Sequence, residues 1–182
     1  MANSHISLEN GNIFFSNLQT ITVTVNCVGV MGKGIALVAK HLFPDVYEYY
    51  YDLCEKDEMH MGVPILYDKH SNSLQTTDKE YKKLLLFPTK QHWKMPGDIV
   101  SIEKGLQWLV DNYEKCGIKS LAIPALGCGN GGLEWRDVGP LLYKYLGKMN
   151  IPVQIFLPRQ NIPKKHLTEK FLLTEPPKIT DY

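Results

Sequence analysis

The stretch ITVTVNCVGVMGKG, residues 21–34, decides the fold of this chain. Its first five residues are all β-branched, which predicts a buried strand, and they lead directly into a loop with three glycines. Apolar residues then recur at helical spacing as far as Phe43, and Pro44 both ends that helix and can begin the next. A strand, a glycine-rich loop and a helix in this order are typical of one unit of an α/β sheet.

The same alternation continues along the chain. Further strands are predicted at residues 5–8, 63–67, 84–87, 120–125 and 153–157, and further helices at residues 44–55, 98–117 and 138–149. This pattern predicts an α/β domain with a mixed, mostly parallel central sheet that helices cover on both faces. We assign the domain to residues 1–160 and a C-terminal extension, either a docking tail or a frayed end, to residues 161–182. The polar residues 70–78 predict an exposed loop or hairpin.

Composition narrows the class of protein. The 182 residues are 44% hydrophobic and 21% charged, which is the range of one soluble α/β domain. The formal net charge of +1 lacks the basic excess of a protein held on nucleic acid by phosphate contacts alone. The four cysteines lack the spacing of a zinc or redox site, so we expect reduced thiols, no metal and no cofactor. Because the sequence shows neither a leader peptide nor a membrane span, we expect a cytoplasmic location. The oligomeric state that we expect is a monomer.

Ligands of such sheets bind beyond the carboxyl ends of the strands, and this rule selects three loops. Loop 1 is residues 26–34, loop 2 is residues 88–96 and loop 3 is residues 124–135. The glycines of loop 1 expose backbone N–H groups beside a helix N-terminus, which favours a phosphate; the alternative is a plain tight turn. The spacing of Gly32 and Lys33 does not fit a P-loop. The amide of Asn26 suits a ribose diol, or else it only forms the turn.

Loops 2 and 3 add further chemistry. Loop 3 carries the pattern G-x-G-x-x-G, but residues 150–156 contain no acid for a Rossmann ribose contact, so NAD-linked redox chemistry is disfavoured. Two glycine-rich loops at one edge of a sheet can instead grip a diphosphate from both sides. In loop 2, a partly desolvated Lys90 can act as nucleophile or base, and Trp93 can stack on a base or sugar. The alternative is that Lys90 is a surface charge and Trp93 belongs to the core.

Three motifs carry a resemblance to a known family. They are VNCVGVMGKGIAL at residues 25–37, FPTKQHW at residues 87–93 and LGCGNGGLEW at residues 126–135, in this order. Over residues 8–158 the chain resembles the macrodomain family, and within it the DarG branch of DNA ADP-ribosyl glycohydrolases. The resemblance implies a three-layer α/β/α fold whose loops bind ADP-ribose, with the two glycine-rich turns on the diphosphate and distal ribose.

The resemblance also assigns partners and site residues. DarG-like macrodomains remove ADP-ribose that a DarT toxin has placed on thymidine bases of single-stranded DNA, and their catalytic lysine lies at the position of Lys90. We therefore expect Lys90 to attack C1″ of the distal ribose or to promote ring opening there, Asn26 to hold the ribose hydroxyls, and His92 and Trp93 to contact the DNA or the base. The expected ADP-ribose contacts are Asn12, Ile13, Asn26, Val30, Met31, Gly32, Lys33, Gly34, Thr89, Pro124, Leu126, Gly127, Cys128, Gly129, Asn130, Gly131, Phe156 and Leu157.

Two positions depart from the pattern of related proteins. Many macrodomains carry an Asp for the adenine amino group where this chain has Asn12, which can accept the same hydrogen bond without charge. The similar terminal ADP-ribose protein glycohydrolases carry an Asp where this chain has Gly131, which favours a DNA linkage over protein esters. The alternatives are an ADP-ribose-binding module without turnover and a hydrolase of protein-linked or small-molecule ADP-ribose derivatives. A complete DarG-like antitoxin has a toxin-binding domain as well, so we expect the chain to be either truncated or stand-alone.

Overall fold

The computed structural model describes residues 3–68 and 82–176. Its strands and α-helices are, in chain order, β1 (Ile6–Glu9), β2 (Thr20–Asn26), α1 (Gly34–Leu42), α2 (Pro44–Glu55), β3 (Ile65–Tyr67), β4 (Lys83–Lys90), α3 (Ile99–Asn112), β5 (Leu121–Pro124), α4 (Trp135–Leu146), β6 (Val153–Phe156) and α5 (Glu169–Leu172). Short 3₁₀ helices lie at Ile13–Phe15 and Lys164–Leu167. The loop or hairpin predicted at residues 70–78 lies outside the described residues.

The strands form one six-stranded sheet in the order β1-β6-β5-β2-β4-β3. All neighbouring pairs are parallel except β3 with β4. The prediction of a mixed, mostly parallel sheet is therefore confirmed. Because β6, β5, β2 and β4 are parallel neighbours, their carboxyl ends meet at one edge, and loops 1, 2 and 3 lie at that edge.

Helices pack on both faces of the sheet because each strand alternates its side chains. In β4, Leu84 and Leu86 belong to the core that contains residues of α1 and α2, whereas Leu85 and Phe87 belong to the core that contains residues of α3 and α4. These four side chains are at most 1% exposed. The result is the three-layer α/β/α arrangement that the sequence analysis expected.

The helix ends show the predicted capping residues. Asp98 is the N-cap of α3, where its carboxylate accepts a hydrogen bond from the Val100 N–H at 3.1 Å. Pro44 stands in the first turn of α2, where its missing N–H costs nothing. Helix α3 ends at Asn112, earlier than predicted, and Gly117 adopts a φ of +66° in the turn that follows.

Strand β4 is longer than the sequence indicated. The prediction ended this strand at Phe87 and assigned the next three residues to loop 2, but the strand continues to Lys90. Pro88 cannot donate to a ladder, and a β-bulge directly follows it: Val25 pairs with Pro88 and Asn26 pairs with Lys90, so that Thr89 is skipped. The bulge sets Lys90 beside Asn26 at the edge of the sheet.

The C-terminal extension packs onto the domain as far as residue 176. Leu172 of α5 is 3% exposed and belongs to the core that contains residues of α3 and α4. The indole Nε1 of Trp135 donates to the carbonyl oxygen of His166 at 3.0 Å. A frayed end is therefore wrong for this part of the extension, and residues 177–182 lie outside the described range.

Across residues 3–68 and 82–176, none of the helices combines the length and the apolar character needed to cross a membrane.

Candidate functional site

Backbone hydrogen bonds join the three loops into one surface. The N–H of Cys27 in loop 1 donates to the carbonyl oxygen of Gln91 in loop 2 at 3.1 Å. The N–H of Gly97, directly after loop 2, donates to the carbonyl oxygen of Gly131 in loop 3 at 2.8 Å. A ligand at this edge of the sheet therefore meets all three loops together.

Lys90 occupies the centre of this surface. Its Nζ donates to the carbonyl oxygen of Asn130 in loop 3 at 3.1 Å and to that of Trp93 in loop 2 at 3.3 Å. The residue is partly exposed and pairs with Asn26 across the bulge. Lys90 thus contacts loops 2 and 3 with its side chain and neighbours loop 1 through its backbone.

The Asn26 amide is engaged by loop 1 itself. Its Oδ1 accepts hydrogen bonds from the N–H groups of Val28 at 3.0 Å and Val30 at 3.3 Å, and its Nδ2 donates to the Val30 carbonyl oxygen at 2.7 Å. Asn26 is 5% exposed, and the Tyr50 hydroxyl lies 2.9 Å from Oδ1. This is the turn-forming role that the sequence left open. Because Oδ1 already accepts hydrogen bonds and one N–H of Nδ2 is donated to Val30, only the second N–H is left for a ribose hydroxyl. The expected contact with the ribose diol is therefore limited to one donated hydrogen bond.

Loop 1 leads into a helix N-terminus that suits an anion. Lys33 is the N-cap of α1 and, within the described structure, makes no side-chain capping bond. The first-turn N–H groups of a helix have no intrahelical acceptors, so those of α1 are directed toward the edge where loop 1 lies. Val30, Gly32, Lys33 and Gly34 are exposed, whereas Met31 is buried and anchors the loop. The loop therefore offers backbone donors in the arrangement that binds phosphate.

The tip of loop 3 lies against loop 1. A Cβ built on Gly34 would lie 2.9 Å from Nδ2 of Asn130, so a side chain at residue 34 would crowd this approach. The carbonyl oxygen of Gly127 accepts from the Leu133 N–H at 2.9 Å and closes the base of loop 3. The two glycine-rich loops thus meet at their tips.

Seven of the expected contacts have buried side chains, and four of these are almost inaccessible to solvent. Met31, Thr89, Leu126 and Cys128 are at most 3% exposed. The carbonyl oxygen of Thr89 accepts from the Asp98 N–H at 2.9 Å and so fixes the start of α3. In this conformation these four residues can meet a ligand through their backbone atoms alone.

Asn12, expected at the adenine, and the remaining expected ADP-ribose contacts lie farther along the same edge. Asn12 caps the first 3₁₀ helix, where its Oδ1 accepts from the Phe14 N–H at 3.0 Å, and Ile13 is only 5% exposed. Phe156 ends β6, and its carbonyl oxygen accepts from the Ala125 N–H at 3.0 Å beside Pro124; Leu157 follows it and is partly exposed. The strand order β1-β6-β5-β2-β4 therefore places Asn12, the two glycine-rich loops and Lys90 along one edge of the sheet.

An aromatic pair stands beside Lys90. The rings of His92 and Trp93 stack with centroids 5.5 Å apart and an interplanar angle of 28°, and we call this pair the aromatic platform. Trp93 is 47% exposed, so the alternative that it belongs to the core is wrong. Nζ of Lys94 lies 5.0 Å from the Trp93 ring centroid. An exposed indole with a neighbouring cation suits stacking on a nucleobase.

Two thiols in the loops are unsuited to nucleophilic attack. Burial raises the pKa of Cys27 in loop 1 to about 11 and that of Cys128 in loop 3 to about 12. A thiol rather than a thiolate is present at neutral pH at both positions.

The sequence analysis missed two side chains that hold the loops in place. The buried Tyr50 of α2 contacts Asn26, and Nε2 of Gln160 donates to the carbonyl oxygen of Cys128. Helical spacing can indicate that Tyr50 is buried, but its partner lies on a different element. No local pattern around Gln160 indicates a contact with loop 3.

The fold and the loops define a class of protein that comparisons with known proteins bear out. The family model described as Macro domain matches residues 23–142. The chain is 34% identical to the solved macrodomain of Mycobacterium tuberculosis DarG, covering 85% of this chain and 98% of that one with a TM-score of 0.77. The chain belongs to the macrodomain family.

Within that family the chain is most usefully compared with DarG proteins. It is 52% identical to a "DNA ADP-ribosyl transferase-DNA ADP-ribosyl glycohydrolase fusion protein" of Thermosipho africanus, over 93% of this chain and 46% of the relative. A solved structure described as Thermosipho africanus DarTG in complex with ADP-ribose matches with 54% identity and a TM-score of 0.87, over 93% of this chain and 46% of that one. The chain thus spans about half the length of these two relatives.

Proposed function

We propose that this chain is a DNA ADP-ribosyl glycohydrolase, which removes ADP-ribose from thymidine bases of single-stranded DNA. The observation that carries the proposal is the position of Lys90 Nζ, within hydrogen-bond distance of loops 2 and 3 and beside the turn that precedes α1. The similarity to proteins named DNA ADP-ribosyl glycohydrolase supports the activity. Loops 1 and 3 grip the diphosphate and so fix C1″ of the distal ribose near the amine.

The two carbonyl contacts of Lys90 orient its nitrogen. The carbonyl oxygens of Asn130 and Trp93 each accept a hydrogen bond from Nζ, which holds the nitrogen between loops 2 and 3. An amine whose direction is fixed before the substrate binds loses less entropy on the way to the transition state.

The reaction then proceeds in two displacements. The Nζ lone pair forms a bond to C1″ while the bond from C1″ to the base nitrogen breaks; the electron pair leaves with the base, which takes up the proton released by the amine. Water next forms a bond to C1″ while the bond between Nζ and C1″ breaks; the electron pair of that bond returns to the nitrogen, which takes up the proton released by the water. The products are unmodified thymidine in DNA and free ADP-ribose, and Lys90 is regenerated.

Two features favour DNA over protein as the carrier of ADP-ribose. The aromatic platform offers an exposed π face directly beside Lys90, where the leaving base must sit. A Cβ on Gly131 would lie 2.5 Å from the backbone oxygen of Gly127, so this loop conformation has no room for the Asp that similar protein glycohydrolases carry. The platform therefore acts in our proposal on the base and its strand.

The biological context follows from that substrate. We propose that the enzyme counteracts a DNA ADP-ribosyltransferase of the DarT type, which the fusion of both named activities in the Thermosipho africanus relative supports. Because DNA is the proposed substrate, we propose that the activity lies in the cytoplasm. Because a single chain supplies every expected contact, we propose that the catalytic unit is a monomer.

Turnover and binding are to be measured on the same variants. Wild type, Lys90→Ala and the control Lys148→Ala are incubated with a single-stranded oligonucleotide that carries ADP-ribose on thymidine, and separately with ADP-ribosylated protein; the released ADP-ribose is measured. Lys90→Ala is expected to lower the release from DNA by at least about 100-fold. Its affinity for free ADP-ribose should change by less than about tenfold, because the loops supply most of the binding. Lys148→Ala should match wild type in both assays.

Each alternative function gives a different result. Unchanged turnover by Lys90→Ala would refute the role of this residue. Binding of ADP-ribose without release from either substrate would show a non-catalytic reader. Release from protein alone would show a protein-directed hydrolase.

A further inference from the structure

Helix α2 supports loop 1 through a buried hydroxyl group. Tyr50 is 0% exposed, and its hydroxyl lies 2.8 Å from the carbonyl oxygen of Asn26 and 2.9 Å from Oδ1 of the same residue. The hydroxyl has one hydrogen, so it donates to one of these oxygens at a time. Burial raises the pKa of Tyr50 well above its ordinary value, so this hydrogen is present at every physiological pH.

The side chain of Asn26 in turn holds the following residues of the turn by hydrogen bonds. Its Oδ1 accepts from the Val28 and Val30 N–H groups, and its Nδ2 donates to the Val30 carbonyl oxygen. Within the turn, Gly29 has a φ of +77°, and a Cβ there would lie 3.0 Å from the ring of Tyr51, the next residue of α2. Two neighbouring tyrosines of α2 thus determine the path of residues 26–30. Residues 31–34, which lead into the α1 N-terminus, follow without interruption.

We propose that Tyr50 is a positioning residue for the phosphate-binding part of loop 1. It touches neither the ligand nor the reacting atoms; it fixes Asn26, and Asn26 fixes the turn from which the backbone donors of residues 31–34 extend. The inference rests on the proposed function, because it takes the diphosphate of ADP-ribose as the ligand of those donors. The diphosphate is bound in the ground state and the transition state alike, so loss of the hydroxyl weakens binding and leaves the chemical step almost unchanged.

The test compares two buried tyrosines that each lose one hydroxyl. Tyr50→Phe removes the contact with Asn26, and the control Tyr145→Phe removes a hydroxyl of α4 that donates to Glu103 at 2.8 Å, on an element that contributes nothing to loop 1. Affinity for ADP-ribose is measured by titration calorimetry, and kcat and KM are measured with ADP-ribosylated single-stranded DNA. The exchange of the Val28 and Val30 amide hydrogens is measured by mass spectrometry or NMR. Melting temperatures report on the stability of both variants.

Tyr50→Phe is expected to bind ADP-ribose about 3- to 10-fold more weakly, with KM raised by a similar factor and kcat within about twofold of wild type. Its Val28 and Val30 amides should exchange faster. Tyr145→Phe should lower the melting temperature comparably and leave binding, KM and those two amides unchanged. Equal affinity of Tyr50→Phe and wild type, or equal losses in both variants, would overturn the inference. If wild type itself did not bind ADP-ribose, the proposed function would fail instead.

Discussion

Replacing Gly131 by alanine is the sharpest test of the packing inside loop 3. A Cβ at this residue would lie 2.5 Å from the carbonyl oxygen of Gly127, 2.9 Å from its Cα and 3.1 Å from its carbonyl carbon. Ordinary van der Waals contacts of a Cβ begin near 3.4 Å, so the backbone segments at Gly127 and Gly131 would have to separate by about 0.9 Å. All three obstructing atoms belong to the backbone and cannot rotate away.

The surroundings oppose that separation. The carbonyl oxygen of Gly127 accepts from the Leu133 N–H, and the carbonyl oxygen of Gly131 accepts from the Gly97 N–H. A methyl group forced into such a site costs about 1–3 kcal/mol. For a domain of this size each kcal/mol lowers the melting temperature by about 2–4 °C, so Gly131→Ala should melt roughly 2–12 °C below wild type. Because Asn130 directly precedes Gly131 and accepts from Lys90, kcat/KM should fall by about tenfold or more.

Gly129→Ala is the matched control. A Cβ at Gly129 would meet nothing within 4 Å, although the residue lies in the same loop. Its melting temperature, measured by scanning fluorimetry beside that of Gly131→Ala, should stay within about 2 °C of wild type. If both variants had the same melting temperature and both kept full activity, the described packing of loop 3 would be incorrect.

Three other substitutions examine different parts of the molecule. Trp93→Ala should raise KM for ADP-ribosylated single-stranded DNA by about 5- to 100-fold through lost stacking and leave the calorimetric affinity for free ADP-ribose unchanged; an unaltered KM would contradict a role of the aromatic platform on the base. Within the described residues the Thr22 hydroxyl is buried without a hydrogen-bond partner, so Thr22→Val should stabilise the protein by about 1–3 kcal/mol in urea unfolding, and a loss of stability would show that the hydroxyl has a partner after all. Burial, with a smaller effect of Asp137, raises the pKa of Cys128 from 9.0 to about 12. Between these two pH values the folded protein binds more protons than the unfolded chain, so its stability falls as the pH rises. The contribution of Cys128 to the free energy of unfolding is therefore complete below pH 9 and is lost toward pH 12. The urea midpoint of Cys128→Ala should therefore fall less steeply with alkaline pH than that of wild type, and parallel curves would exclude the effect.

Much of the fold could be predicted because it depends on local patterns. The run of β-branched residues before loop 1 gave β2, helical spacing gave α1, and Asp98 and Pro44 marked helix starts that the structure shows. The boundaries moved by a few residues where a strand end depends on its neighbours. For the C-terminal extension the prediction of a frayed end failed, since the docking of Leu172 depends on a core built by distant elements.

The candidate site was predictable as a set of loops but not as a geometry. The sequence placed Lys90, the two glycine-rich turns and the His92–Trp93 pair at one edge of the sheet, where the structure has them, although Lys90 ends strand β4 and does not lie in a loop. It gave no sign that Thr89 is skipped by a bulge, and it left open whether the Asn26 amide holds a ribose or forms its own turn. The contact with ADP-ribose and the reaction at C1″ stay proposals that the variants above test.

The sequence by itself therefore determined the alternating elements and the loops at one edge of the sheet, because hydrophobic periodicity and glycine placement act over a few neighbouring residues. The family followed from the resemblance of three motifs, at residues 25–37, 87–93 and 126–135. Only the tertiary structure decided where the reactive groups stand. Lys90 meets the carbonyl oxygen of Asn130 across 40 positions of the chain, and Tyr50 meets Asn26 across 24. Such contacts depend on how whole helices and strands pack, and an amino-acid pattern along one segment does not contain that information.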